Sequence, residues 1–340
     1  MNRIRVLVVD DSPTMRQLVT HALEADPAIE VVGAAQSALE ARELIKQLNP
    51  DVMTLDVEMP EMDGLSFLER VMRLRPMPVV MVSTLTAQGT ETAISALAIG
   101  AVDCVVKPSA DNPSSFHDLP AKVKIASRVK RRQQEPLDSG PRFSGAYQPD
   151  GKIVAIGSST GGVEALIAVL SKFPENCPPT VITQHMPPIF TRNLASRLDR
   201  MCAPTVVEAS QGAPLRTGLI YLAPGGEQHL EVTGRSTLTC FLKPGDLVNG
   251  HCPSVDRLFT SVARAAGPRA LGLILTGMGR DGAQGLLEMR RAGARTIAQD
   301  EASSVVYGMP KAAVEAGAVE HQYSLARIGH AVIEATASRT

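Results

Sequence analysis

Two sets of side chains in this sequence are spaced for chemistry. The first is acidic. Asp10 and Asp11 close an apolar run that begins at Ile4, Asp56 closes another that begins at Val52, and Lys107-Pro108 follow a third. Carboxylates gathered in one place repel one another unless a cation joins them, and hard oxygen ligands with room for water suit Mg²⁺. A carboxylate there can attack a phosphoryl group in line, and a lysine can hold the acyl phosphate formed. A single aspartate at a strand end reads more simply as a helix cap. Three carboxylates and a Lys-Pro at the ends of different strands are hard to explain that way, so Asp56 is expected to accept a phosphoryl group.

The second set is centred on Gly157-Ser158-Ser159-Thr160-Gly161-Gly162. Its Gly157-x-Ser159-x-Gly161 spacing is that of a nucleophile elbow, a sharp strand-to-helix turn that lifts a serine hydroxyl above a sheet. Backbone N–H groups at the helix start can also stabilise an oxyanion. A glycine-rich turn before a helix suits phosphate equally well. The P-loop lysine and the G-x-G-x-x-G spacing are missing, and the motif alone leaves both readings open.

A nucleophilic serine needs a base. His185, in Gln184-His185-Met186-Pro187-Pro188, follows the strand candidate Thr180–Thr183 and could face Ser159 across a crevice. His229, in Pro224-Gly225-Gly226-Glu227-Gln228-His229, competes with it. For the orienting carboxylate, Asp281 follows Leu271–Leu275 within Thr276-Gly277-Met278-Gly279-Arg280-Asp281-Gly282, although capping a helix is its plainer role. Asp256, in Pro253-Ser254-Val255-Asp256, is less well placed because it falls at or within a helix. The order Ser, His, Asp differs from the Ser…Asp…His order of α/β-hydrolases and would be a separate route to the same geometry.

These residues need elements to hold them. Strand candidates in the first third are Ile4–Val9, Glu30–Ala34, Val52–Asp56, Pro78–Ser83 and Ala101–Val106. Stretches with helical spacing, such as Met15–Glu24 and Gly64–Leu74, alternate with them, which implies βαβ units around a parallel sheet. In such a sheet, residues just beyond the carboxyl ends of the strands converge on one crevice. The basic stretch Lys122–Arg132 reads as the solvated face of a last helix rather than a docking site, and Gln133–Asp150 turns polar and rich in Gly, Pro and Ser, as a linker does. A second α/β pattern opens at Lys152–Ile156 and continues through Thr180–Thr183, Gly218–Leu222 and Ala270–Leu275. Gly225–Leu242 alternates around Thr233-Gly234, a hairpin signal that suggests an antiparallel pair added to the parallel sheet. The expected divisions are a domain over 1–125, a linker over 126–150 and a second domain over 151–340.

Length and composition agree with two packed domains. The chain has 340 residues, 44% hydrophobic and 20% charged, with a formal net charge of -1. That balance argues against a general nucleic-acid or membrane-surface role. The apolar run after the N-terminus ends at Asp10-Asp11, too soon for a signal peptide, and no later run approaches the ~18 residues of a spanning helix. A cytoplasmic protein without membrane insertion is expected. The five cysteines are scattered and form no C-x-x-C pair, so buried free thiols are expected rather than disulfides or a zinc site.

Two resemblances gather these features. Val8-Val9-Asp10-Asp11-Ser12, Leu55 through Gly64, Ser83-Thr84 and Lys107-Pro108 resemble the receiver domains of bacterial response regulators. The resemblance implies a flavodoxin-like parallel sheet of order 2-1-3-4-5. It also implies Mg²⁺ held by Asp11, Asp56 and the carbonyl of Glu58 with Asp10 in support, and Ser83 bonded to the phosphoryl oxygen. Receivers commonly carry an aromatic residue three positions before the lysine; Cys104 stands there, so an aromatic rotamer switch is not implied.

The serine, histidine and aspartate motifs, with Ala223-Pro224-Gly225 and Pro253-Ser254-Val255-Asp256, resemble the chemotaxis receptor methylesterase (CheB) family, which places a receiver ahead of them. That resemblance implies a doubly wound α/β hydrolytic domain with Ser159 as nucleophile, His185 as base and Asp281 as orienting acid. Thr160 and Met278 fall where the family places neighbours of the oxyanion. The implied activity is hydrolysis of glutamate γ-methyl esters, and deamidation of glutamines, on chemoreceptor cytoplasmic helices. No cofactor is implied for hydrolysis. A chemotaxis histidine kinase would supply the phosphoryl group, and a monomer is expected. A phosphorylation-controlled binding module without catalysis is the reading from another class.

Overall fold

The structure, a computed structural model, describes residues 3–60, 62–84, 86–108, 115–129 and 147–338. The chain divides into two compact units, Met1–Gln134 and Glu135–Thr340. Most of the expected linker, residues 130–146, lies outside the described residues, as does Glu61 of the receiver-like motif.

In the first unit, strands β1 (Ile4–Val9), β2 (Ile29–Ala35), β3 (Val52–Asp56), β4 (Val79–Ser83) and β5 (Asp103–Val106) alternate with helices α1 (Pro13–Glu24), α2 (Ala38–Leu48), α3 (Gly64–Leu74), α4 (Ala87–Ile99) and α5 (Leu119–Ala126). Among the described residues the strands form one parallel sheet of order β2-β1-β3-β4-β5, the flavodoxin-like order. Helices on both faces leave the inner strands no solvated side, so they read as unbroken apolar runs. Every residue of β3 and of β4 is buried. Ser12, Ser37, Asp63 and Thr86 each accept a first-turn N–H of the helix they precede, a cap worth ~1 kcal/mol. The strand order reverses between β1 and β3, and the crevice at that switch point receives Asp10, Asp11 and Asp56.

The basic stretch is not simply a solvated face. Lys122 Nζ pairs with Asp103 at 2.8 Å and Lys124 Nζ with Asp26 at 2.5 Å, so two of its lysines bind α5 to the rest of the unit.

In the second unit the strands are β6 (Ile153–Ser158), β7 (Thr180–Gln184), β8 (Thr205–Glu208), β9 (Leu219–Leu222), β10 (Gln228–Thr233), β11 (Thr239–Pro244), β12 (Ala270–Ile274), β13 (Arg295–Gln299) and β14 (His321–Tyr323). The helices are α6 (Gly162–Leu170), α7 (Pro188–Met201), α8 (Val255–Ala266), α9 (Ala283–Arg291), α10 (Met309–Glu315) and α11 (Leu325–Ala335). Among the described residues a seven-stranded parallel sheet has the order β14-β13-β12-β6-β7-β9-β8. Strand β6, all six residues buried, lies at its middle, with β7 on one side and β12 on the other. The winding reverses at β6, so the carboxyl ends of these three strands open on a common crevice.

The hairpin expected from Gly225–Leu242 forms as β10 and β11, paired from Gln228↔Pro244 to Thr233↔Thr239. It stands as its own two-stranded sheet, and β8 takes the edge beyond β9. Its buried residues Leu230, Val232 and Cys240 share a core with Leu258, Phe259 and Val262 of α8. Burying a ring such as Phe259, with 0% exposed, contributes ~1.5–3 kcal/mol.

All five cysteines are free; Cys177 and Cys240 are buried, whereas Cys104, Cys202 and Cys252 are only half-buried. Among the described residues no helix is long and apolar enough to cross a membrane.

Candidate active site and phosphorylation site

Strand β6 ends at Ser158 and α6 starts at Gly162, so Ser159, Thr160 and Gly161 make the turn between them. Gly161 has φ +75°, which L side chains rarely adopt, and a Cβ there would also strike Val305. The turn is fastened from below. Ser158 Oγ donates to Gln184 Oε1 at 2.6 Å, and Gln184 Nε2 donates to the carbonyls of Ser159 (2.9 Å) and His185 (3.1 Å). From the other side, the Ser159 N–H donates to the Thr276 carbonyl at 3.0 Å. The serine hydroxyl therefore sits on a backbone tied to both neighbouring strands.

Ser158 pairs with Gln184 across β6 and β7. One position further on, Ser159 and His185 are adjacent, with backbones set by a strand spacing of ~4.8 Å. His185 is 6% exposed at its side chain, and its Nε2 lies 2.8 Å from Asp281 Oδ2. An ionised carboxylate only accepts, so Nε2 carries a hydrogen, and in the neutral ring Nδ1 then holds the lone pair. Nδ1 is buried and has no hydrogen-bond partner. The Ser159 hydroxyl does not bond it here.

Asp281 does not cap its own helix, whose N-cap is Gly282. Its carboxylate instead lies against the start of α8. It accepts from the Val255 N–H (2.7 Å), the Asp256 N–H (3.1 Å), the Ser254 hydroxyl (2.8 Å) and Asn249 Nδ2 (3.2 Å). Burial pushes this carboxyl up, but the His185 hydrogen bond and charge, with the Val255 and Ser254 donors, bring it down to about 2. The positive end of α8 adds to the attraction. Asp281 is thus a fixed negative charge aimed at Nε2.

The competing residues have other work. His229 is 1% exposed; its Nδ1 accepts the Ser254 N–H at 3.1 Å and its Nε2 faces the Asp246 carbonyl at 3.0 Å. Both ring nitrogens are therefore spent on structure. Asp256 accepts the Gly285 N–H at 2.6 Å and Asn249 Nδ2 at 2.8 Å, tying α8 to α9, and burial raises its carboxyl above the usual range.

Thr160 is buried, and its carbonyl accepts the Thr276 hydroxyl at 3.1 Å. Met278, 48% exposed, lies on the loop after β12. That loop runs close to the serine: a Cβ on Gly277 would come within 2.8 Å of Ser159 Cβ. Sequence reasoning missed Gln184, Asn249, Ser254 and His251 as members of this site. Asn249-Gly250 is a turn signal that could have marked the segment. Nothing in the spacing marks His251, whose ring stacks on His185 with centroids 3.7 Å apart and an interplanar angle of 11°.

In the first unit, carboxylate oxygens of Asp10, Asp11 and Asp56 lie within 4.8 Å of one another. Lys107 Nζ is 2.9 Å from both Asp10 Oδ2 and Asp56 Oδ2. Asp56 is 1% exposed; burial pushes its carboxyl up to about 6, against the pull of Lys107 and with a further push from Asp10. An all-oxygen cluster with more negative charge than one lysine offsets fits a hard divalent cation such as Mg²⁺. Glu58 donates its N–H to Asp56 Oδ1 at 3.2 Å, which brings its backbone to the acceptor. Ser83 is brought to the end of β4, but its hydroxyl faces the carbonyls of Gly89 (3.0 Å) and Thr84 (3.1 Å). It must turn to reach a phosphoryl oxygen. Cys104 is half-buried, and burial pushes its thiol up to about 12.

Comparison with known proteins finds a family for each of the two units. Residues 154–332 match the CheB methylesterase family and residues 6–114 the response regulator receiver domain. A protein-glutamate methylesterase/protein-glutamine glutaminase of Agrobacterium fabrum is 60% identical over 341 residues, 98% of this chain and 97% of that one. A protein of the same name, numbered 1, from Caulobacter vibrioides is 58% identical over 343 residues and 100% of both chains. The crystal structure of the Thermotoga maritima CheB methylesterase catalytic domain is 38% identical, with a TM-score of 0.53, covering 54% of this chain and 98% of that one.

Proposed function

The chain belongs to the CheB methylesterase family, and we propose that Ser159, His185 and Asp281 are the residues with which it hydrolyses protein glutamate esters. It is a protein-glutamate methylesterase and protein-glutamine glutaminase with a receiver domain. The observation that carries the site assignment is the His185 ring. One nitrogen is fixed on a buried carboxylate, and the other is buried, unpartnered and one strand from Ser159.

In the reaction proposed, Ser159 Oγ attacks the γ-ester carbonyl carbon while His185 Nδ1 takes its proton. The imidazolium formed is stabilised by Asp281 through Nε2–H. Collapse of the tetrahedral intermediate expels methanol, which takes the proton from His185. Water, activated by the same nitrogen, then attacks the acyl-enzyme and releases the glutamate. A glutamine side chain enters the same sequence with ammonia as the leaving group. Thr160 and Met278 border the position where the oxyanion develops.

The substrates are methyl-accepting chemoreceptors, the phosphodonor is a chemotaxis histidine kinase, and the enzyme works in the cytoplasm as a monomer. Asp56 takes the phosphoryl group, and Lys107, 2.9 Å from its carboxylate, holds the acyl phosphate. Asp10, Asp11, Asp56 and the Glu58 carbonyl would hold Mg²⁺, which when bound offsets charge on the phosphoryl oxygens. Ser83, once turned, donates to one of those oxygens. Hydrolysis needs no further cofactor. Methanol release from methylated receptors of the same cell, followed with and without a small-molecule phosphodonor, tests the reading. Release that rises with the donor is expected. No release under either condition overturns it.

A further inference from the structure

We infer that His251 is a positioning residue for the base: its ring, stacked on His185, sets the plane in which Nδ1 is presented to Ser159. This rests on the assignment of His185 above and deepens it. The hydrogen bond to Asp281 holds the ring at Nε2 and fixes the tautomer. Nδ1 lies further than Nε2 from the Cβ–Cγ axis about which the imidazole rotates, so any swing of the ring displaces it more. A flat neighbour against the ring face blocks that swing, and His251 is such a neighbour at 3.7 Å and 11°.

The stacking ring is itself held. Val248 and His251 exchange backbone hydrogen bonds of 3.0 Å, and Asn249 (φ +52°) and Gly250 (φ +82°) between them make a two-residue turn with both central residues left-handed. The Asn249 amide reaches Asp256 (2.8 Å) and Asp281 (3.2 Å), and Ser254, just beyond, donates to Asp281 at 2.8 Å. His251 is thus bracketed in sequence by two residues bound to the carboxylate that also holds His185. One anchor sets both the base and the plate against its face. Misplacing a reacting group by ~1 Å costs on the order of 100-fold in rate, so a ring free to turn should be felt in kcat.

The test compares His251→Ala and His251→Phe in the full-length chain with Ser159→Ala, following methanol release at saturating phosphodonor. We expect His251→Ala to lower kcat on the order of 10-fold with KM unchanged, and the flat ring of His251→Phe to restore kcat to within about 3-fold of wild type. The ring-proton resonances of His185 should move downfield in His251→Ala, where the stacked ring is gone, and stay shifted upfield in His251→Phe. Wild-type kcat in His251→Ala, or His251→Phe as slow as His251→Ala, overturns the inference while an inactive Ser159→Ala leaves the esterase assignment standing. An active Ser159→Ala would overturn that assignment itself.

Discussion

The candidate base and its carboxylate set the terms at the level of single residues. Asp281 accepts from five groups, His185 among them, and each of its oxygens is shared between the site and the start of α8. Asp281→Asn would leave the shape but turn a donor toward Nε2, forcing the hydrogen onto Nδ1 and removing the base. Loss of about 10,000-fold in kcat is the expected result, checked by methanol release with receptor binding held constant. The same carboxylate has a pH signature. Its pKa falls from 3.8 unfolded to about 2 folded, so its contribution to stability is complete above about pH 4 and is lost as pH falls toward 2. The amount is on the order of 2 kcal/mol, and denaturation curves across that range should lose it in wild type but not in Asp281→Asn. The sequence carried Ser159, His185 and Asp281 because each stands at the end of an apolar run. It favoured His185 over His229 by its place at the carboxyl edge of a neighbouring strand, whereas the bonds that occupy both His229 nitrogens come from residues distant in sequence and leave no mark in it.

At the level of elements, the loops after β6 and β12 hold each other. Thr276 accepts the Ser159 N–H through its carbonyl and donates its hydroxyl to the Thr160 carbonyl. Gly277 lies so close that a Cβ would meet Ser159 Cβ at 2.8 Å and would also strike Met309. Gly277→Ala should displace the serine and lower kcat on the order of 100-fold. Equal kcat in that variant, measured beside its thermal melt, would show that the loop can give way without cost. The strands β1, β3, β4, β6, β7 and β12 were legible as apolar runs because both sheet faces are covered. Strands β8 and β14 were not, since β8 alternates at the sheet edge and β14 has three mostly exposed polar residues. The hairpin was legible in its turn, but its separation from the parallel sheet is a matter of long-range pairing, which local pattern does not carry.

At the level of the whole molecule, one chain carries both a receiver domain and a methylesterase domain. Asp56→Asn removes the acceptor while leaving the serine site untouched, so it should abolish stimulation by a phosphodonor and keep basal methanol release. A variant still stimulated would remove Asp56 from its role; radiolabelled phosphodonor would read the loss of label directly. Two packed units were legible from length, composition and the restart of the strand pattern. How phosphorylation of a receiver with Cys104 in place of an aromatic ring reaches the esterase is not written in spacing, because such a relay is a change of state and the sequence pattern encodes positions.

The central claim is that Ser159 is the nucleophile. Its most direct test is methanol release from methylated receptors by Ser159→Ala at saturating phosphodonor, with Asp56 phosphorylation measured in the same sample and Ser158→Ala as the neighbouring control. A nucleophilic Ser159 predicts no release from Ser159→Ala, normal phosphorylation of Asp56, and substantial release from Ser158→Ala. Wild-type release from Ser159→Ala would contradict it.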